Sequence, residues 1–324
     1  MAPESTPRSW PTMETMSMLD RPATSPIAVV PGSASRRLAI EVARKLGLEP
    51  TSTRSEAFPD GEWDVSVDAG VQGADTYVIQ SLAPPVNDHL VELMLLLDAC
   101  RRGGTGRVTA VVPYLGYSRK DRRTSRGEAV SLRVVADVVA SSGADRAVLV
   151  DPHVPQVDSI FSIPLEVVSA VPLLAAAIAP AIPGDAIVVA PDLGAVHLAE
   201  RYATELGLEG VGIVRKTRHS GRDVEISGLV GHLRERAVLL IDDMVSTGLT
   251  LEAAASRIAA EWSAPSVAVA ATHGLFVSDA VERLDRMCLA AMVVSDSVAP
   301  ATVPALCRTV PLDGLLADTI RRLH

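Results

Sequence analysis

The sequence predicts an α/β protein built on parallel sheets, and three features predict it. Short apolar runs alternate with helical stretches, the runs are apolar on both faces, and most of them end in turns rich in Gly, Pro, Asp or Ser. Strands that read as continuous apolar runs belong to a parallel sheet covered by helices on both sides. Two similar domains of this kind are expected, over residues 26–165 and 166–324. Residues 1–25, rich in Pro, Ser, Thr and Met, read as a disordered extension.

The elements follow in order. Ile27–Val30 is a short strand closed by Pro31-Gly32, and Ser35–Leu46 is a helix capped by Ser33 or Ser35 and stopped by Gly47. Further strands are expected at Thr76–Gln80, Arg107–Val112, Arg146–Val150, Ala186–Ala190, Gly210–Val214, Ala237–Ile241 and Ser266–Thr272. Helices between them cover His89–Arg102, Ala129–Ser142, Ala195–Glu205 and Leu249–Trp262. Phe58-Pro-Asp-Gly-Glu62 has the composition of a tight turn. Val111–Gly116 and Val189–Gly194 resemble each other, a weak sign of an internal repeat.

Composition narrows the classes. The chain has 324 residues, 48% of them apolar and only 3% aromatic, so its core is built from Ala, Val, Leu and Ile. A net charge of −9 argues against nucleic acid as the main partner. The three cysteines lie far apart with no CxxC, which fits a reducing cytoplasm. The longest apolar run, Val167–Ile182, has 16 residues and two prolines, too short and interrupted to span a bilayer.

In open parallel sheets, ligands bind beyond the carboxyl ends of the strands, so the polar residues that follow each run carry the functional reading. Asp242-Asp243 ends one strand, and Met244-Val-Ser-Thr-Gly-Leu-Thr250 leads into a helix. Backbone N–H groups of such a turn, with the helix dipole, hold an anion, while two carboxylates would repel it but accept hydrogen bonds from sugar hydroxyls. The pattern describes a site for a phosphorylated ribose, and no Gly-Lys pair makes it a Walker loop. Five of the nine residues from Ser118 to Arg126 are basic, a candidate polyphosphate clamp that includes Arg119. Asp151-Pro-His153 ends another strand, with His153 a candidate for metal or phosphate. Arg215-Lys-Thr-Arg-His-Ser-Gly-Arg222 is a basic loop able to close over a triphosphate and carries Lys216, one of only three lysines.

Together, and in order, these segments resemble the ribose-phosphate pyrophosphokinase (phosphoribosyl pyrophosphate synthetase) family from about Ile27 to His324. Phe58–Glu62 is similar to its FPDGE turn, Pro84–Leu93 to its PVND segment, Pro113–Arg123 to its PYxGYxRxDR segment and Asp151–His153 to its DLH motif. Pro191–Gly194 resembles its PDxG turn, Asp242–Thr250 its substrate loop, and Thr272-His-Gly274 and Ile320–His324 resemble family segments too.

The resemblance implies two domains of the type I phosphoribosyltransferase-like fold and transfer of the diphosphate of ATP to O1 of ribose 5-phosphate, with Mg2+. By that resemblance Asp192, Asp242, Asp243, Ser246, Thr247, Gly248 and Thr250 bind ribose 5-phosphate, and His153 and Asp192 sit at the magnesium centre. Arg119, Lys120, Asp121 and His153 contact ATP, and Phe58, Asp60 and Glu62 reach the adenine from a neighbouring subunit of a homo-oligomer. Lys216 and Arg218 are the loop cations that neutralise the transferring group. Lys120 stands where the family usually has Gln, and Leu249 and Ala195 replace small residues or Gly. Three alternatives stay open: a non-catalytic regulatory member, a synthetase for another sugar, and a phosphoribosyltransferase.

Overall fold

The computed structural model describes residues 25–218, 224–230 and 235–324. Apart from Ser25, the expected N-terminal extension lies outside them. The first half comprises β1 (Ile27–Pro31), α1 (Arg36–Leu46), β2 (Thr53–Ala57), β3 (Trp63–Val67), β4 (Asp75–Ile79), α2 (Val86–Arg102), β5 (Arg107–Val112), α3 (Ser131–Ser141), β6 (Arg146–Val150) and β7 (Leu165–Val168). The second comprises α4 (Val171–Ile178), β8 (Ile187–Ala190), α5 (Val196–Leu206), β9 (Val211–Arg218), β10 (Val224–Val230), β11 (Val238–Val245), α6 (Leu249–Trp262), β12 (Val267–Gly274), α7 (Ala280–Asp285), β13 (Ala291–Ser295), β14 (Cys307–Val310) and α8 (Asp313–Leu323).

The strands form two principal sheets, as the apolar runs predict. One has the order β1-β4-β5-β6-β7 and is wholly parallel. The other has the order β10-β9-β8-β11-β12-β13-β14 and is parallel except for the β9–β10 pair. The boundary expected between residues 165 and 166 falls inside β7, the last strand of the first sheet.

The internal repeat is plainer in the structure than in the segments that suggested it. In each half the first strand (β1 or β8) is followed by a helix and a hairpin, and the later strands then add in order on its far side. Helix α1 and helix α5 both have 11 residues and end in left-handed glycines, Gly47 at φ 75° and Gly207 at φ 64°. Leu46-Gly-Leu-Glu49 and Leu206-Gly-Leu-Glu209 occupy these equivalent ends. Val189–Gly194 therefore matches Val29–Ala34, and its likeness to Val111–Gly116 joins strands that are not equivalent.

Helix α1 stops at Gly47 as expected, because a residue without a β-carbon takes positive φ at little cost. Its predicted caps do other work. Ser35 Oγ accepts a hydrogen bond from Ser81 N at 2.9 Å. Ser33 binds the buried Glu92 through both its N–H, at 3.0 Å, and its hydroxyl. A turn so close to a second segment satisfies its hydroxyls there and not in the helix.

A continuous core lies between the sheets. Val29, Ile79 and Val148 of the first and Val188, Ile241 and Val293 of the second enclose Leu38 of α1, Leu174 of α4, Ala199 of α5 and Leu316 of α8. It is aliphatic as composition requires, with Tyr77 and Tyr202 as its largest fully buried side chains. Helix α8 follows β14 yet packs on α1, and Arg322 reaches Glu166 at 2.6 Å, so the end of the chain ties the halves together.

Candidate active site

The carboxyl ends of β5 and β6 face those of β8 and β11 across the seam between the sheets, around a cleft of about 1300 Å3. Arg119, Lys120, Asp121 and His153 line it from the first half, and Asp192, Asp242 and Asp243 from the second. Seven of the predicted site residues thus come together.

Strand β11 explains the two acids. It runs four residues past the expected end at Ile241. Its neighbour β8 pairs with it only as far as Leu240, so Asp242 and Asp243 lie on an edge left open to the cleft. Asp243 N donates to Asp242 Oδ1 at 3.0 Å, and the carboxylate of Asp243 meets His153 Nδ1 at 2.7 Å. Burial pushes Asp242 well above the usual carboxylate range, and the charge of Asp243 adds to it. Burial is the strongest single influence on Asp243 too and would raise it, but the hydrogen bond and charge of His153, the contact with Asp242 and the nearby His273 together hold Asp243 below its ordinary value. The same bond raises His153, against the opposing effect of its burial. Two adjacent acids of divergent character at a strand end are what acid–base and hydroxyl-binding chemistry uses.

Asp192 caps the turn into α5. Its Oδ1 accepts the N–H groups of Gly194 at 2.9 Å and Ala195 at 3.2 Å. Lys120 lines the cleft with its ammonium held by Glu128 at 2.7 Å. Glu128 also accepts the N–H groups of Thr124, at 2.7 Å, and Ser125, at 3.2 Å. It closes the basic segment into a compact loop that leaves Arg119 exposed at the cleft.

Ser246, Thr247, Gly248, Thr250, Phe58, Asp60 and Glu62 are not in the cleft wall. Ser246, Thr247, Gly248 and Thr250 follow it directly, with Gly248 at φ 74° preceding the 14-residue helix α6. Arg283 Nε braces this turn by donating to Thr247 O at 3.1 Å. Phe58, Asp60 and Glu62 form the tip of the β2–β3 hairpin, where Phe58 is half exposed. Lys216 and Arg218 were expected on a loop. Their backbone instead belongs to strand β9, opposite Ile226 and Val224 of β10, because the hairpin continues the sheet. The rest of that expected loop, residues 219–222, lies outside the described residues.

Sequence reasoning missed Arg201 and gave Asp151, Thr272 and His273 no individual role. Arg201 lines the cleft from α5 and donates to Ser169 Oγ at 2.5 Å. Nothing distinguishes it in sequence from the other exposed arginines of an Arg-rich chain.

A second cavity, of about 360 Å3, lies at the seam where the repeat places the cleft's counterpart, at the ends of β1, β4, β12 and β13. Its lining includes Ala34, Ala83, Phe276 and Ala299. By position and strand register, Gly32 stands in place of Asp192, Gln80 in place of Asp243 and Ala299 in place of His153. A side chain at Gly32 would run into Gln80. At these three positions one copy of the repeated site carries titratable side chains and the other carries none.

Residues 27–143 match the N-terminal domain of ribose phosphate pyrophosphokinase, and residues 225–324 match the phosphoribosyl synthetase-associated domain. A ribose-phosphate pyrophosphokinase of Gloeobacter violaceus is 36% identical over 90% of this chain and 89% of its own length. The chain belongs to the ribose-phosphate pyrophosphokinase family. The pyrophosphokinase of Chlorobaculum tepidum is 35% identical over 93% of both chains. The crystal structure of phosphoribosylpyrophosphate synthetase from Mycobacterium smegmatis superposes with a TM-score of 0.85 at 32% identity, covering 92% of this chain and 99% of that one. The pyrophosphokinase family thus accounts for both sheets and for the seam on which the cleft lies. Among the described residues, no helix is long and apolar enough to cross a membrane.

Proposed function

We propose that the chain transfers the diphosphate of ATP to O1 of ribose 5-phosphate, giving 5-phosphoribosyl 1-diphosphate and AMP. The observation that carries this reading is the cleft itself. It sets a cation-bearing loop of one half against the paired acids of the other, and the acids are followed at once by a turn and a helix N-terminus.

In this reading Asp242 and Asp243 accept hydrogen bonds from the ribose 2- and 3-hydroxyls. The backbone and hydroxyls of Ser246, Thr247, Gly248 and Thr250 cradle the 5-phosphate at the start of α6. Arg119 and Asp121 contact ATP, with Lys120 beside them. Lys216 and Arg218 meet the diphosphate as the bond to AMP breaks. The anomeric hydroxyl attacks the β-phosphorus, AMP departs, and the protein contributes alignment and charge neutralisation, not a covalent intermediate.

Among the described residues, no three His, Cys, Asp or Glu side chains form a ready-made metal site. That suits Mg2+, which proteins hold through one or two carboxylates together with substrate phosphates. Asp192, Asp242 and Asp243 supply hard oxygen donors in one cleft, and His153 stands beside them. Bound there, Mg2+ would neutralise phosphate charge. Phe58, Asp60 and Glu62 lie outside the cleft wall of their own chain, which supports their serving a neighbouring subunit's site in a cytoplasmic homo-oligomer.

Replacing Asp243 by Ala tests the assignment. The folded variant should lose use of ribose 5-phosphate far more than affinity for ATP, and equal loss of both would count against it.

A further inference from the structure

Asp151 joins the two halves of the molecule at the edge of the cleft. It follows β6, is buried, and has φ of 35°, a left-handed conformation strained for a residue with a side chain. Such a residue persists only where its surroundings hold it from several sides. Thr272 Oγ1 donates to Asp151 Oδ2 at 3.0 Å, and Ala170 N donates to the same oxygen at 2.8 Å. His273 Nε2 lies 3.2 Å from the Asp151 carbonyl, and its Nδ1 lies 2.8 Å from Ser297 Oγ.

A carbonyl only accepts, so His273 carries its proton on Nε2, and the Ser297 hydroxyl donates to Nδ1. His273 is buried, and that burial keeps the ring neutral. Thr272 lies where the register between β12 and β13 shifts, between Ala271 and His273. Such irregularities re-aim side chains beside active sites. Two residues further along the first half, His153 meets Asp243 of the second.

We propose that Thr272 and His273 are positioning residues for diphosphate transfer: reaching across the seam, they lock Asp151 in its left-handed conformation and so hold His153 against Asp243. The proposal rests on the functional reading above. Asp151 accordingly works through its fixed backbone, with its Oδ2 held by Thr272 and Ala170 and its Oδ1 3.8 Å from Arg201.

Thr272→Val keeps the shape and removes the hydroxyl, while Thr272→Ser keeps the hydroxyl. Kinetics and crystal structures of both test the clamp. Thr272→Val should lose at least about tenfold in kcat with KM for ribose 5-phosphate within about twofold, as expected when a reacting geometry slips. Its His153–Asp243 contact should open beyond hydrogen-bonding distance. Thr272→Ser should match the wild type in both. A folded Thr272→Val with wild-type kcat and contact, or equal loss in both variants, would overturn the proposal.

Should Thr272→Val not fold, Asp151→Gly and Asp151→Ala decide the matter. Both lose the carboxylate, but Gly takes positive φ without strain. The Gly variant should retain several-fold more kcat, and an Ala variant as active as the Gly variant would overturn the clamp. If the wild type releases no AMP with ribose 5-phosphate, the functional reading fails, while the His153–Asp243 distance and the φ of residue 151 in these variants still test the clamp.

Discussion

His153 Nδ1, at the end of β6, and Asp243 Oδ2, in β11, meet at 2.7 Å across the seam between the two sheets. The pair couples the halves electrostatically, and its pH dependence follows from the two shifts. His153 is raised, so its contribution to stability is complete below the ordinary imidazole value and is lost as pH rises through the raised one. Asp243 is lowered, so its contribution is complete above the ordinary carboxylate value and is lost as pH falls through the lowered one. Both are whole between about pH 4 and about pH 6.5. Urea denaturation of wild type and Asp243→Asn should differ most in that window and converge as the solution becomes alkaline. NMR titration of the variant should find His153 moved down.

Lys216 and Arg218 bear on the mechanism. If these cations meet the diphosphate only as the bond to AMP breaks, they stabilise the transition state more than the bound substrates. Such a loss lowers kcat and kcat/KM together and spares KM. Lys216→Ala and Arg218→Ala should each cost at least roughly 10²-fold in kcat. Steady-state kinetics decide the matter: a raised KM with near-normal kcat would make them binding residues only.

Much of this site was legible because parallel strands announce themselves. Runs such as Val108–Val112 and Val238–Ile241 are apolar on both faces, and whatever polar residues follow them lie at the ligand-binding end of the sheet. The β2–β3 hairpin was not legible as strands. Thr53-Arg-Ser-Glu-Ala57 is largely exposed and carries no apolar alternation. Strand β9 outran its prediction because Arg215–Arg218 pairs with a distant segment that no local pattern names. The His153–Asp243 contact spans 90 residues and exists only through the topology.

The link between the end of the chain and the first sheet can be broken at one residue. Arg107 pairs with Asp75, which is nearly buried, and donates to Leu323 O at 3.0 Å. Tyr77 Oη donates to Asp75 at 2.9 Å, and His324 lies 3.0 Å from it. Burial alone would raise Asp75, but its bonds to Arg107, His324 and Tyr77 bring it below its ordinary value. Its contribution is therefore complete above that value and lost as pH falls through the lowered one. Arg107→Met leaves the carboxylate without its main partner and should cost about 3 kcal/mol in denaturant unfolding at neutral pH. A loss below about 1 kcal/mol would show that Tyr77 and His324 suffice.

In the proposed reaction the cleft moves two phosphoryl groups together from ATP to the sugar. Phosphorus-31 NMR of the purified chain with ATP, Mg2+ and ribose 5-phosphate reads this directly. AMP and a sugar 1-diphosphate should appear in equal amounts, both dependent on ribose 5-phosphate and without ADP. ADP with a singly phosphorylated product, or AMP formed equally well without the sugar, would contradict it.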